Sequence, residues 1–160
     1  MPERNVIERV DALQLEYLRA LDRRDMGAWA ECFGDPASYT CTTSENEEQG
    51  LPLALMLDDS RERIADRVNY VTRVWAGTFE DYRMRHFVQR LTCVEQGPSV
   101  VAVETQFLVA YTTTRGQSEV LATGIYLDTI ALSTKGGAKF RSKKAVLDTA
   151  VMPRYLVYPL

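Results

Sequence analysis

The sequence predicts an α+β fold in which N-terminal helices pack on a strongly curved antiparallel sheet. Apolar residues in the first half of the chain recur at helical spacing, whereas the second half alternates apolar and polar residues along four long segments. Short turns that contain glycine separate these segments, which favours an antiparallel meander. Helices followed by such a sheet are typical of the α+β class. No internal repeat or linker divides the 160 residues, so one domain, residues 1–160, is predicted.

An apolar stripe predicts the first helix. It consists of Val6, Val10, Leu13, Tyr17 and Leu21, with Ile7 and Leu18 beside it. The polar segment from Asp22 to Asp25 interrupts this stripe, and the Asp25 side chain is expected to cap a short second helix. That helix would carry Trp29 and Phe33 and would end at the turn-forming sequence Gly34-Asp35-Pro36.

A strand, a loop and a third helix are predicted next. Ser38 to Thr43 alternates and is rich in β-favouring residues, so it predicts a strand, whereas Thr43 to Gly50 is acidic and polar and is expected to form a loop. Leu51 to Leu57 is apolar and has room for a short strand after its proline. Asp59 is expected to cap the third helix, with Glu62 as its capping-box partner. The buried stripe of this helix consists of Ile64, Val68, Val71 and Trp75.

Four long strands are predicted in the second half of the chain. They span Arg85 to Glu95, Ser99 to Thr114, Glu119 to Leu132 and Ala138 to Asp148. Strands of this length usually bend, and Gly124 is expected to mark a bulge or a kink. The helices would then close one side of a cone.

Composition and charge exclude several classes of protein. The net charge of -3 argues against a nucleic-acid-binding protein, which normally carries a basic stripe. The three cysteines are too widely spaced for a metal-binding or redox pair, and their odd number predicts reduced thiols in a cytoplasmic protein. No apolar run approaches the roughly 18 residues of a membrane helix, so no membrane partner is expected.

The chain contains a single histidine, His86, and this count limits the chemistry that the chain can support. A structural zinc site, a facial-triad iron site or a Rieske centre needs two or more histidines, or a cluster of thiolates in their place. No metal site of these kinds is therefore expected on this chain alone. Any metal chemistry that it serves must lie on another chain, which leaves a partner subunit or a metal-free enzyme.

The order and spacing of short motifs along nearly the whole chain carry a family resemblance. These motifs are Tyr17 to Asp22, Trp29 and Phe33, Tyr39, Glu45-Asn46, Gly50 to Leu53, Asp58-Asp59, Arg63, Asp66-Arg67, Arg83 to His86, Gly124 to Asp128 and Lys144 to Asp148. In these features the chain resembles the small (beta) subunit of bacterial aromatic-ring-hydroxylating dioxygenases. The resemblance implies the cone-shaped α+β barrel of that family, which nuclear transport factor 2 shares (an NTF2-like fold).

The resemblance also implies where the chemistry lies. In this family a large (alpha) subunit carries a Rieske 2Fe–2S cluster and a mononuclear Fe(II), which receive electrons from NADH through a reductase. The small subunit carries no cofactor and has no active site of its own. In many members a trimer of small subunits joins three large subunits in a three-plus-three hexamer. The apolar tail, Tyr155 to Leu160, looks most like members that act on an aromatic carboxylate. An exposed apolar tail would be unfavourable, so it is expected to pack on its own sheet or into a subunit interface, with Tyr158 as a candidate interface residue.

Two groups of charged residues are candidate interface sites. Arg83, Arg85 and His86 form a basic cluster. Composition alone favours a solvated strand start in which His86 bonds to a nearby carbonyl, whereas the resemblance favours a lip that docks on an acidic partner edge. The second group consists of Glu45, Asn46, Asp58, Asp59, Arg63 and Arg67. It is interpreted as structural ion pairs, some of them reaching a neighbouring subunit, rather than as an acid–base pair or a cation site.

A stand-alone enzyme is the alternative hypothesis. A cone-fold isomerase, cyclase or dehydratase would use Asp128, Tyr126 or His86 as acid–base groups, since residues two apart on a strand share a face. Such an enzyme needs an open apolar cavity with an unpaired carboxylate or histidine. In a scaffold subunit large side chains would fill this space, and Asp128 would pair with Arg141 or Lys143. A small-molecule binding module is a third hypothesis.

Overall fold

A computed structural model describes residues 2–160 and contains four helices and six strands over that range. The helices are α1 (Arg4–Asp22), α2 (Met26–Glu31), α3 (Ser44–Glu48) and α4 (Arg61–Asn69), and a π-helical turn, Tyr70–Val74, follows α4. The strands are β1 (Phe33–Thr43), β2 (Met56–Asp58), β3 (Tyr82–Gly97), β4 (Val100–Thr113), β5 (Ser118–Leu132) and β6 (Ala138–Leu147). The predicted α+β class is confirmed.

All six strands belong to one curled sheet in the order β2-β1-β6-β5-β4-β3. The last four strands form the expected antiparallel meander, whereas β1 pairs in parallel with β6, so that Tyr39 lies opposite Lys143. Irregularities in register interrupt each of the three meander pairings, and such bulges increase bend and twist. Strands β2 and β3 remain as free edges, so the sheet forms an unclosed cone.

The core lies between the inner face of the sheet and α1. Helix α1 buries its predicted stripe there: Val10, Leu13, Tyr17 and Leu21 are at most 3% exposed. Aromatic rings fill much of the remaining space in edge-to-face contacts, with 5.1 Å between the ring centroids of Trp29 and Phe33 and 5.5 Å between those of Tyr17 and Phe140. Such contacts add about 0.5–1.5 kcal/mol per pair to the free energy of area burial.

The second helix is shorter than predicted. It is capped as expected, since the Asp25 carboxylate accepts a hydrogen bond from the Ala28 amide at 2.9 Å, but it ends at Glu31. The prediction that Phe33 belongs to this helix is wrong, because Phe33 begins β1 and lies opposite Phe140 of β6. The Gly34-Asp35-Pro36 sequence, which was expected to stop the helix, lies within the irregular first half of the strand.

Two boundaries around α3 and α4 also differ from the prediction. The expected loop contains α3, for which the Thr43 hydroxyl accepts a hydrogen bond from the Asn46 amide at 3.3 Å, and acidic residues in its first turn favour a helix. The cap of α4 is Ser60 rather than Asp59: the Ser60 hydroxyl accepts from the Arg63 amide at 3.2 Å. Both residue types cap well, so packing of the helix decides which one takes the position.

Gly124 has a different role from the one expected. The bulge between β4 and β5 lies at Leu121, because Val109 pairs with Ala122 and Ala110 with Val120, while the register is regular at Gly124. A Cβ atom at Gly124 would overlap the backbone carbonyl of Val146 and would lie 2.9 Å from Cζ of Phe107. The glycine is needed because neighbouring groups approach its backbone closely.

We predict that Gly124→Ala destabilises the chain by about 3 kcal/mol or more, because the rigid backbone of β6 cannot move away from the added methyl group. Gly137→Ala is the matched control, since nothing lies within 4 Å of its Cβ position. Urea unfolding of both variants measures the difference. Equal stability of the two variants would contradict the close-approach explanation.

Candidate functional site

A polar network of Gln14, Asp128 and Lys143 lies inside the cone, between α1 and the strands β5 and β6. The ammonium of Lys143 donates to Oδ2 of Asp128 at 2.9 Å and to Oε1 of Gln14 at 3.0 Å. The Gln14 amide also donates to Oδ2 of Asp128 at 3.4 Å. The side chains of Lys143 and Asp128 are fully buried. Of the two partners expected for Asp128, the structure therefore selects Lys143 and not Arg141.

Aromatic rings enclose the ammonium group. Nζ of Lys143 lies 3.8 Å from the ring centroid of Tyr126 and 4.5 Å from those of Tyr17 and Phe140. A cation that is removed from water gains energy from such ring faces. Burial raises the pKa of Asp128 and lowers that of Lys143, and the attraction between the two groups opposes both shifts.

Tyr126 and His86, the other acid–base candidates, are also enclosed. The Tyr126 ring stacks on Phe107 with 4.3 Å between centroids, and burial raises the pKa of its hydroxyl well above the usual value. The side chain of His86 is fully buried, and Nδ1 lies 2.7 Å from Oδ1 of Asp22 at the end of α1. Neither Nε2 of His86 nor the Tyr126 hydroxyl has a hydrogen-bond partner within residues 2–160.

Five clefts have volumes of about 390 to 530 Å³, and none of them reaches Tyr126 or His86. One of about 460 Å³ enters between α1 and the inner face of the sheet and is lined by Gln14, Thr105 and Ile130. The cleft that touches Asp128 and Lys143 opens on the outer face of the sheet, beside Leu127. Oδ2 of the interior carboxylate is thus paired with Lys143, Oδ1 has no hydrogen-bond partner within residues 2–160, and rings enclose the ammonium group. A buried charge pair enclosed by rings is the arrangement expected of a scaffold rather than of a catalytic cone.

The tail closes one end of the core. Val157, Tyr158 and Leu160 are at most 8% exposed. The Leu160 carbonyl accepts from the hydroxyls of Tyr17 at 2.6 Å and Tyr39 at 3.3 Å, and the Leu160 amide donates to the Tyr39 hydroxyl at 2.9 Å. The Tyr158 ring packs edge-to-face on those of Tyr82 and Phe79. Tyr158, a candidate interface residue, therefore lies within this chain's own core.

The candidate ion pairs divide into buried and exposed ones. Arg67 forms a two-pronged contact with Asp58, at 2.9 and 3.0 Å, and the Asp58 side chain is 6% exposed. Paired geometry of this kind is the strong form of such contacts. Arg63 and Asp59 lie 3.5 Å apart, but both are about 60% exposed, so water screens their attraction.

Glu45 and Asn46 lie on α3, next to a segment whose leucine side chains are exposed to solvent. Glu45 is exposed and accepts a hydrogen bond from the Gln49 side chain at 3.4 Å, whereas the Asn46 amide donates to the Leu53 carbonyl at 3.4 Å. Leucines of the following segment point into solvent: Leu51, Leu53, Leu55 and Leu57 are 42 to 58% exposed. From the sequence, this apolar run indicates only a possible short strand.

The basic cluster at the start of β3 is split between the two faces of the sheet. Arg83 and Arg85 are exposed on the outer face, whereas Tyr82, Met84 and His86 point inward. The expectation that His86 shares the lip with the arginines is therefore wrong, because alternation along a strand sends neighbours to opposite faces. Phe87, which the sequence analysis did not single out, joins the arginines on the outer face and is 62% exposed.

Sequence reasoning missed Gln14 entirely. Its position in the buried stripe of α1, between Leu13 and Tyr17, could have identified it, because a polar residue there needs a partner inside the core.

No group of three or more His, Cys, Asp or Glu side chains within residues 2–160 is arranged to hold a metal ion. Over the same range, no helix is long and apolar enough to cross a membrane.

Comparison with protein families matches residues 18–154 to the family described as ring hydroxylating beta subunit. The chain is 28% identical over 148 residues to the anthranilate 1,2-dioxygenase small subunit of Burkholderia cepacia, covering 92% of this chain and 90% of that one. It is 27% identical over 152 residues to terephthalate 1,2-dioxygenase, terminal oxygenase component subunit beta 2, of a Comamonas species, covering 94% and 96%.

Solved structures agree with these matches. A structure from Novosphingobium aromaticivorans, assigned as the beta subunit of an aromatic-ring-hydroxylating dioxygenase, has a TM-score of 0.80 and 26% identity, and the match covers 90% of each chain. ActVI-ORFA of Streptomyces coelicolor has a TM-score of 0.69 at 15% identity, with 89% of this chain and 98% of that one covered. At that identity the likeness concerns the fold alone.

We predict that Lys143→Met destabilises the chain by about 3–5 kcal/mol, because it leaves Asp128 buried without its counter-charge. The double variant Asp128→Asn/Lys143→Met should recover at least half of this loss. Lys144→Met is the control: this neighbour on β6 pairs with Glu47 at 2.8 Å, but both side chains are more than a third exposed, so a loss below about 1 kcal/mol is expected.

The loss in Lys143→Met should also depend on pH. Without Lys143, burial raises the pKa of Asp128 further above its unfolded value, so the destabilisation is smallest at low pH and grows as the pH rises through the folded-state pKa. Urea unfolding between pH 5 and pH 8 measures this dependence. A loss that is constant with pH, or a double variant no better than the single one, would show that the charge pair does not matter.

Proposed function

Because the chain belongs to the family of ring hydroxylating beta subunits, we propose that it is the small subunit of the terminal oxygenase component of an aromatic-ring-hydroxylating dioxygenase. In this role it is structural and non-catalytic, and it holds iron-bearing large subunits in position. It contributes to the oxidoreductase as a subunit of the complex, without an active site of its own.

The observation that carries this proposal is the filled cone. A stand-alone isomerase, cyclase or dehydratase needs a cavity with a free acid or base, but Asp128 is paired with Lys143 and the rings of Tyr126 and Phe107 stack on each other. Groups that are fully buried against one another cannot approach a substrate without opening the core. The catalytic alternative, and a binding module that uses the same interior, are therefore not favoured.

The cofactors would lie on the partner. We propose that the large subunit carries a Rieske 2Fe–2S cluster and a mononuclear Fe(II), and that three small subunits associate as a trimer in a three-plus-three hexamer. The free thiols of Cys32, Cys41 and Cys93 are consistent with assembly in the reducing cytoplasm.

The substrate of the complex is proposed to be an aromatic carboxylate. Two relatives that align over more than 90% of this chain are named for anthranilate and terephthalate, both of which are aromatic carboxylates. The large subunit would hold the ring, so the small subunit would act on turnover only through the arrangement of its partners.

Co-expression with a candidate large-subunit gene tests the proposal. Affinity purification through a tag on the small subunit should yield an iron-bearing partner in equal molar amount, measured by iron and acid-labile sulfide content. Purification of the small subunit alone, without an iron-bearing chain, would contradict the assignment.

Tyr126→Phe tests whether the interior hydroxyl takes part in turnover by the assembled oxygenase. The substitution removes the interior hydroxyl, which has no hydrogen-bond partner within residues 2–160, and leaves the ring stacked on Phe107. We expect turnover per iron in the assembled oxygenase to change less than twofold. A loss of tenfold or more with intact assembly would indicate an interior acid–base role.

A further inference from the structure

Two exposed apolar patches of opposite charge lie at opposite edges of the sheet. The arginine edge consists of Arg83, Arg85 and Phe87 on the outer face of β3. The leucine edge consists of β2 and the segments before it; its members are Glu45, Glu47, Glu48, Leu51, Leu53, Leu55 and Leu57. Strands β3 and β2 are the two free edges of the six-stranded sheet.

Hydrogen bonds fix the backbone of the leucine edge in one position. The Leu55 amide donates to the Cys41 carbonyl at 2.7 Å, the Thr42 hydroxyl donates to the Leu53 carbonyl at 2.7 Å, and the Leu51 amide donates to the Asn46 carbonyl at 2.8 Å. These bonds fix the backbone against β1 and α3 while four leucine side chains remain in water. Contiguous exposed apolar surface with a polar rim is typical of a protein interface.

The rim of the leucine edge is acidic. Glu45, Glu47 and Glu48 are exposed on α3, and among the salt bridges of residues 2–160 only that between Glu47 and Lys144, at 2.8 Å, involves any of them. Two carboxylates of the rim therefore remain free to attract a basic surface.

The arginine edge has the opposite charge. Neither Arg83 nor Arg85 forms a salt bridge with any residue from 2 to 160. Their cross-strand neighbours on β4, Thr112 and Ala110, are uncharged. Phe87 follows them on the same face with 62% of its surface exposed, and aromatic and arginine side chains are the residue types enriched at interface centres.

The two edges do not pair within one chain: β2 pairs with β1 and β3 with β4, and they stand at opposite ends of the strand order. We propose that the arginine edge of one copy of this chain docks on the leucine edge of the next, in a head-to-tail contact. A contact between two different patches closes into a ring when its rotation allows. The contact would build the small-subunit trimer, and this inference therefore rests on the proposed function.

Charge complementarity favours a second copy of this chain as the occupant. Both halves of the complementary pair are present on one chain, so the contact needs no surface from elsewhere. A two-fold contact of either edge with itself would bring like charges together, which costs binding energy. The head-to-tail arrangement instead places Arg83 and Arg85 of one copy near the carboxylates of the next and covers Phe87 with leucines.

Charge reversal at each edge tests the contact in the full-length small subunit. Arg83→Glu/Arg85→Glu and Glu45→Arg/Glu48→Arg should each reduce the sedimenting mass from three chains to one at micromolar concentration. The chain with all four substitutions should regain the trimer, because both edges are reversed together. Lys135→Glu, in the exposed turn between β5 and β6, is the control and should remain trimeric.

Crosslinking in the co-expressed complex gives a second measurement that does not depend on the stability of the trimer alone. Phe87→Cys with Leu53→Cys in one chain should yield disulfide-linked dimers and trimers of the small subunit, and neither single variant should do so. Disulfide-linked dimers from Phe87→Cys alone would indicate a two-fold contact and would overturn the proposal.

The outcomes also separate this inference from the proposed function. If the iron-bearing subunit co-purifies but charge reversal leaves the trimer intact, the edge assignment is wrong and the small-subunit role stands. If Arg83→Glu/Arg85→Glu releases only the large subunit, the arginine edge faces that partner and the head-to-tail contact is excluded. If wild-type chain recovers no iron-bearing partner, the proposed function itself fails.

Discussion

The ammonium of Lys143 lies inside the cone, where the surrounding side chains replace the contacts that the cation would make with water. A buried cation is tolerated only when a counter-charge, hydrogen-bond acceptors and polarisable groups replace water. Asp128 supplies the counter-charge and Gln14 a further hydrogen-bond acceptor. The polarisable groups are the rings of Tyr126, Tyr17 and Phe140. Because these groups come from α1, β5 and β6, the charge pair fixes how the helix and the sheet fit together. The same constraint closes the interior to substrates.

Helices and strands are predicted correctly from the sequence where one long local pattern of apolar residues determines them. The stripe of α1 and the alternation of the meander identify both without ambiguity, because each pattern is long. Phe33 is different, since its strand partner Phe140 lies more than a hundred positions away and outweighs the local helical pattern. Asp59 and Ser60 are both competent caps, and no local rule chooses between them. The irregularity between Thr129 and Ile130 decides which side chains of β6 turn inward, so spacing alone could not select Lys143 over Arg141.

Proteins that share a fold can differ in function, and the difference lies in the side chains on their inner and outer surfaces. In this chain the interior is packed with rings and closed by the tail, while the outer face of the sheet keeps exposed leucines, Phe87 and two exposed arginines. Sequence patterns identified the arginines but placed His86 with them, because a run of neighbouring basic residues hides the alternation of a strand. The leucine segment was read as a possible strand, since an apolar run gives no sign of whether it will be covered. Whether a side chain is exposed depends on which other elements pack against it once the chain has folded.

The parallel pairing of β1 with β6 also has a consequence for the time course of folding. Tyr39 meets Lys143 across roughly a hundred intervening positions, so a large loop must close before this pairing contributes any stability. Chains with such distant pairings reach the native state slowly, over milliseconds to seconds, and expose unfinished strand edges meanwhile. Until β6 arrives, β1 and the short β2 beside it offer an open edge to any neighbouring chain. During synthesis, the order in which strands appear would therefore govern aggregation of this subunit as much as its final stability does.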